Sequence, residues 1–205
     1  MRAAQLAGWS KKAFVRTTRQ DQGASPAPDL VGRRFTAVGP DRLWVADFTY
    51  VPTGEGWLYL AFVLDVYSRR IVGWSMAMQQ RAELVTSALD MAMSRRRPGA
   101  GLIHHSDRGA QYTSVEFGSK LQEWSVSPSM GSVGSAYDNA MAESFVATLK
   151  KELVNQAVWR TSACAKTAIF EYIECYYNVR RRHSALEYLS PAEYERRDVT
   201  EAFAA

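Results

Sequence analysis

Cysteine, histidine and long apolar runs are what this sequence has least of, and each shortage excludes something. The 205 residues include two cysteines, Cys164 and Cys175. They lack CxxC spacing and fall in a helical segment, so they read as reduced core residues of a cytosolic protein rather than a disulfide framework. Three histidines, His104, His105 and His183, are too few for a structural zinc site beside those cysteines. The longest apolar stretch runs from Trp57 to Leu64 and is ended by Asp65, far too short to span a bilayer. No signal-peptide core opens the chain, and no internal repeat runs through it. The Ser/Gly-rich stretch 127–135 has no lysine and so is no nucleotide-binding P-loop. It reads instead as a flap over a site.

The chain is long enough for one substantial core plus an accessory segment. Hydrophobic residues make up 47% and charged residues 22%, a globular balance that excludes wholesale disorder. The net charge of +4 is unevenly spread. Residues 1–42 hold eight Lys/Arg against three Asp/Glu, whereas the rest of the chain is close to neutral. A basic N-terminal segment suits a phosphate backbone, and equally suits a solvated arm.

Patterning divides the chain into a basic segment with a linker-like middle (1–38), a structured core (39–160) and a helical extension (161–205). Two β-type runs, 43–51 and 57–66, flank a Pro/Gly turn and form a hairpin; a third strand follows at 71–76. A helix with Ala82, Val85, Leu89 and Met93 on one face ends before Pro98. A short strand at 102–105, a helix with Val115, Phe117, Leu121 and Trp124 as apolar positions, and a strand near Val126 come next. A further helix, capped by Ser135 or Asp138, then carries Asn139, Glu143 and Lys150 on one stripe and Met141, Phe145 and Leu149 on the opposite one. The order βββαβαβα is an α/β fold with a mixed sheet, followed by a helix bearing Ile169, Ile173 and Tyr176.

Three acidic residues stand where a structural role is hard to find. Asp47 interrupts the apolar strand 43–51, and Asp107 ends the segment 102–106. Glu143 lies on a helix, with 35 residues between it and Asp107. A carboxylate in an apolar strand is costly to desolvate unless it is paired or binds a metal. In a mixed sheet, strand ends and helix starts gather at one edge, where the three can meet. Together they would form a hard oxygen cage for Mg²⁺ or Mn²⁺. A solvated polar face remains the alternative for the Glu143 helix taken alone. Arg180, Arg181, Arg182 and His183 read as a phosphate-binding patch or as cations favouring a helix C-terminus. Arg95, Arg96 and Arg97 read as solvated cations ending a helix. One of His104 and His105 faces the core, and Gln111 and Tyr112 either line a groove or pack the following helix.

These residues lie in four ordered blocks: Leu43 to Val51, His105 to Ser114, Asp138 to Phe145, and Tyr176 to Leu186 followed by Ser190-Pro191. With the 35-residue gap and the basic Lys150 seven positions after Glu143, the chain from about residue 30 to 197 resembles the DDE transposases of the insertion-sequence-three family. The resemblance implies a ribonuclease-H-like fold similar to retroviral integrases. It also implies that Asp47, Asp107 and Glu143 bind two divalent cations, Mg²⁺ or Mn²⁺, to cut and join DNA strands. Lys150 would contact the element's end, with Asn139 and the block Arg180 to His183 as further DNA contacts. The partners implied are the element's ends, target DNA, further copies of the chain and an upstream helix-turn-helix region, in the bacterial cytoplasm and on the nucleoid. Residues 1–38 read as a remnant of that DNA-binding region.

Two other readings share the acidic residues: a ribonuclease-H-like nuclease that cuts without joining, and an inactive DNA-binding or multimerisation fragment. A two-carboxylate glycosidase explains neither the third acid nor the basic segments.

Overall fold

The computed structural model describes residues 27–131 and 139–204, with side chains described as far as residue 197. The strands are β1 (Leu43–Thr53), β2 (Gly56–Asp65), β3 (Ile71–Ala77), β4 (Ile103–Ser106) and β5 (Ser127–Met130). The α-helices are α1 (Ala82–Arg96), α2 (Val115–Glu123), α3 (Ala140–Glu152), α4 (Ser162–Glu171) and α5 (Pro191–Ala204). The sheet order is β3-β2-β1-β4-β5. Strands β1 to β3 pair antiparallel, while β4 runs parallel to β1 and β5 parallel to β4.

Side chains alternate across β1 and divide the core in two. Leu43, Val45 and Val51 join Leu58, Leu60, Phe62 and Leu64 under Ala142, Phe145 and Leu149 of α3 and Ile169 of α4. Trp44 and Ala46 join Ala61 and Val63 against Leu84, Ala88 and Leu89 of α1 and Phe117 and Leu121 of α2. The result is three layers, helix on sheet on helix. Helix α1 lies very close to β3 at Gly73: a Cβ there would run into the carbonyl oxygen of Ala88 and sit 2.7 Å from the Ala92 Cβ.

The order of strands and helices along the chain and the mixed sheet follow the sequence pattern, and several details depart from it. Positions 127–130 of the Ser/Gly-rich stretch form β5 rather than a flap. Residues 132–138, including the capping residues Ser135 and Asp138, lie outside the described residues. On α2, Phe117 and Leu121 are buried, but Val115 and Trp124 are exposed. Both cysteines are exposed: the inward positions of α4, which carries Cys164, are Ala165 and Ile169, and those of the turn that carries Cys175 are Tyr172, Ile173 and Tyr177. After α4 the backbone widens into a π-helical turn, Tyr172–Tyr177. That turn shifts the helical phase, so Tyr177 rather than Tyr176 enters the core.

The arginines of the last turn of α1 are not simply solvated. Arg96 pairs with Asp41 (2.9 Å) and with Glu195 of α5 (2.9 Å), and Arg95 pairs with Glu174 (2.6 Å). Residues 27–31, on the basic side of the expected boundary at 38, pack onto the structured core. The Leu30 amide donates to Ser129 Oγ (2.9 Å), and Val31 is buried in the core. Residues 1–26 lie outside the described residues.

Candidate active site

Register brings the first two acids together. Strands β1 and β4 are parallel, with Trp44 opposite His104 and Val45 opposite His105. Two residues beyond the last pair, in the same direction along β1 and past β4, come Asp47 and Asp107, close enough for the charge of Asp107 to act on Asp47. The chain leaves β1 toward β2 on one side, and β4 adds on the other. Such a change of direction at strand ends is where α/β sheets bind ligands.

Asp47 falls on the α3 face of β1, in line with Leu43 and Val45. Among the described residues its carboxylate accepts a hydrogen bond from the Phe48 amide (2.7 Å). Burial pushes its pKa up to about 7; the Phe48 bond opposes the rise, the charges of Asp107 and Glu143 add to it, and Lys150 pulls it down. Asp107 stands on an exposed loop, where its Oδ1 accepts from the Gly109 amide (2.9 Å). A Cβ at Gly109 would come within 2.9 Å of that oxygen, so a larger residue there would displace the Asp107 carboxylate. Arg108 donates from Nε to the Gly131 carbonyl (2.8 Å), tying this loop to the end of β5.

Glu143 lies in the first turn of α3 and is exposed, while Ala142, Phe145 and Leu149 anchor the helix. Asn139 does not lie on the open surface beside it as the stripe suggests. It is buried, and its Nδ2 donates to the Ala46 carbonyl (3.2 Å), pinning the start of α3 to the residue before Asp47. Lys150 lies 4.9 Å from the ring centroid of Tyr50. Tyr50 and Trp57 are half-exposed and meet edge to face at 5.0 Å. This aromatic pair was hidden in the sequence, because both residues read there as ordinary strand positions.

Asp107 and Glu143 are both near enough for their charges to act on Asp47. No group of three His, Cys, Asp or Glu side chains among the described residues is close enough to enclose an ion as it stands. The donor chemistry nonetheless fits a hard divalent cation. All donors are carboxylate oxygens, and Asp47 is an under-compensated acid that added positive charge would return to its ionised form.

The C-terminal basic block is divided by the fold. Arg180 and Arg182 are exposed. Arg181 is held by Glu152 through Nε (3.0 Å) and Nη2 (2.8 Å). His183 is buried, with its pKa drawn down to about 4 by burial and then by Arg181 and Arg69. Asn178, just before the block, bonds both the amide and the carbonyl of Ile71 at 2.9 Å and fixes this segment to β3. Both His104 and His105 are buried, where the pattern placed one of them in the core. His104 packs on Tyr112 and Phe117, and Tyr112 itself is core rather than groove lining.

Comparison with known proteins identifies the family. Two integrase core domain families match, over residues 37–136 and 125–191. A transposase for insertion sequence element IS904 of Lactococcus lactis is 47% identical over 176 residues, covering 85% of this chain and 70% of that protein. A 31 kDa protein of insertion element IS600 from Shigella sonnei is 44% identical, covering 90% of this chain and 68% of that protein. Transposase InsF for insertion sequence IS3A of Escherichia coli is 38% identical, covering 93% of this chain and 66% of that protein. The chain thus spans about two thirds of each relative's length.

Among solved structures, the catalytic core domain of BIV integrase superposes with a TM-score of 0.58 at 16% identity, covering 80% of this chain and 99% of that one. The HTLV-2 integrase catalytic core domain, solved with magnesium, gives 0.57 at 15% identity, covering 78% and 99%. The fold is therefore that of the ribonuclease-H-like integrase cores. Sequence identity across most of its length and the matching core domains place the chain in the insertion-sequence-three family of DDE transposases, polynucleotidyl transferases of DNA transposition.

Proposed function

We propose that the chain carries out metal-dependent cleavage of DNA at insertion-sequence ends and joins the freed 3′ ends to target DNA. The observation that carries this reading is Asp47, a carboxylate in the central strand with its pKa near 7 and two more carboxylates acting on it. Mg²⁺ or Mn²⁺ suits an all-oxygen donor set. Asp47 would hold both of two such ions, Asp107 completing one ligand set and Glu143 the other. When bound, they supply activation of water or a 3′-hydroxyl and neutralisation of the departing oxygen. No Ser, Tyr or Cys of the chain is needed as a nucleophile.

The chain's own task is to deliver and hold the phosphodiester. Lys150 projects from the same flank of α3 as Glu143 and would take a phosphate oxygen near the scissile bond. Arg180 and Arg182, both exposed, would hold the backbone further away. Arg181 and His183 serve this patch from within, as its braced base. Tyr50 and Trp57 offer an open aromatic surface beside Lys150 on which an unpaired base could stack.

Two ends must be bridged, so further copies of the chain and an upstream helix-turn-helix region belong to the working assembly, on the bacterial nucleoid. No helix of the described residues is long and apolar enough to cross a membrane. The test is strand transfer by the purified protein, given a labelled element end with a free 3′-hydroxyl, a target plasmid and Mg²⁺ or Mn²⁺. Joined product is expected. Cleavage with no joined product under any assembly would leave a nuclease in place of a transposase.

A further inference from the structure

A polar cavity of about 380 Å³ lies on the other flank of α3, away from Glu143 and Lys150. Its walls come from three places: Ser144 and Thr148, one turn apart on α3; Arg69, in the β2–β3 turn; and Arg181, Arg182 and Ser184, in the segment after the π-helical turn. We propose that this cavity is a second phosphate seat, taking a phosphodiester of the DNA whose other contact is at the catalytic flank. The inference rests on DNA being the substrate, and it extends the patch of Arg181 and Arg182 inward to a defined seat with Arg69, Ser144 and Thr148.

Charge is the first argument. Three guanidinium groups line the cavity, and the nearby carboxylate of Glu152 is fully engaged. It takes the bidentate bond from Arg181 and a hydrogen bond from the Tyr172 hydroxyl (2.7 Å). Arg69 makes no side-chain hydrogen bond or ion pair among the described residues, and its backbone is held in a left-handed turn with φ near 60°. The second argument is preorganisation. Arg181 is clamped between Glu152 and the Tyr177 ring, 5.7 Å from its centroid, so its fork is fixed before any anion arrives. Planar guanidinium forks with hydroxyl donors between them match a tetrahedral oxyanion.

The third argument is span. A helix with its side chains is about 10–12 Å across. That is comparable with the ~12 Å major groove of B-DNA. Phosphates on the two strands bordering one groove can therefore reach opposite flanks of α3, one at Lys150 and one here. The buried imidazole of His183 forms part of the cavity wall and supplies a reporter.

Two measurements test the assignment on the intact protein. In the first, the ring signals of His183 are followed by NMR during titration with inorganic phosphate; three histidines keep the assignment simple. A saturable shift is expected in the wild type and in Asp47→Asn, and not in Arg69→Gln or Thr148→Glu. In the second, binding of an element-end duplex is measured against salt. Arg69→Gln should weaken it about five- to tenfold at 0.1 M salt and lower the log–log slope by about 1. Thr148→Glu should weaken it at least as much, and Lys166→Gln, of equal charge change on α4, should leave it near wild type. A phosphate-induced shift with unaltered DNA affinity in both cavity variants would mark a free-anion site and overturn the proposal. So would unaltered behaviour in both measurements. A wild type with no salt-dependent DNA binding would instead overturn the transposase reading on which the proposal rests.

Discussion

Asp47 on β1 and Asp65 at the end of β2 are both raised above the usual carboxylate range by burial, Asp47 to about 7 and Asp65 to about 6. Their surroundings differ in kind. The oxygens of Asp65 accept from the amides of Asp41 (2.6 Å) and Ser68 (3.0 Å), from Trp44 Nε1 (3.2 Å) and from Ser68 Oγ (3.3 Å). Arg96 stands close enough to favour its charge. Asp47 has the Phe48 amide, and its other charged neighbours include two carboxylates. One acid is satisfied by the protein, and the other is left for something the protein does not contain. Burial alone therefore does not mark a functional acid; unmet hydrogen-bonding and charge demand does.

The sharpest way to break this comparison is to neutralise each acid in turn. Asp47→Asn, Asp107→Asn and Glu143→Gln are expected to lower cleavage and joining at least about a thousandfold, the scale of losing several kcal/mol of metal-borne stabilisation. DNA affinity should change less than about threefold, because phosphate contacts supply most of it. Quantitative end-cleavage and gel-shift measurements check both halves. Near-normal cleavage in any variant would strike that residue from the site. Asp65→Asn should do the reverse. An amide cannot accept on both sides, so buried donors lose their partner at a cost of about 2–4 kcal/mol. Denaturant unfolding would show that loss, while cleavage per folded molecule stays within about twofold.

That asymmetry also explains what could be read from the sequence. Strand and helix positions were legible because their apolar periodicities are strong, and Asp47 and Asp107 stood out because each interrupts or ends an apolar run; Glu143, on the polar stripe of its helix, was singled out by its spacing and the family resemblance. Asp65 breaks one too, at the end of the run from Trp57, yet its four donors come from residues 41, 44 and 68, contacts that no local pattern announces. Asn139 misled for the same reason. Helical phase put it beside Glu143, but the carbonyl that holds it belongs to a strand 93 residues away. The π-helical turn defeated a fixed helical period, moving the core position from Tyr176 to Tyr177. The arginine block was visible, but its division into braced and open members depends on Glu152, which tertiary packing alone brings to Arg181.

Acid titration sharpens the comparison at a smaller scale. The pKa of Asp65 is raised in the fold from 3.8 to about 6, first by burial and against the pull of its amide donors. A raised acid adds stability that is fully present below its unfolded pKa and is lost as pH rises through the folded value. This residue should therefore remove up to about 2–3 kcal/mol between pH 4 and 7. Thermal melts across that range should show the fall, to which Asp47, raised to about 7, also contributes, and Asp65→Asn should make it shallower without removing it. A slope unchanged by the substitution would mean that the donors around Asp65 fully offset its burial.

The smallest effect separates two acids on one helix. Glu143 and Glu152 both project from α3, but Glu152 is held at its far end by Arg181 and Tyr172. Burial would raise its pKa, yet the bonds from Arg181 and then Tyr172 hold it below the usual glutamate value. It is a satisfied carboxylate of the Asp65 kind. Because the pair is partly open to water, Glu152→Gln should cost only about 1 kcal/mol. At saturating DNA, where loosening Arg181 no longer limits binding, cleavage should remain within about twofold while Glu143→Gln abolishes it. Parallel urea melts and end-cleavage rates for the two variants decide the matter. Loss of cleavage in Glu152→Gln at unchanged stability would show that unmet demand is the wrong criterion for a catalytic acid on α3.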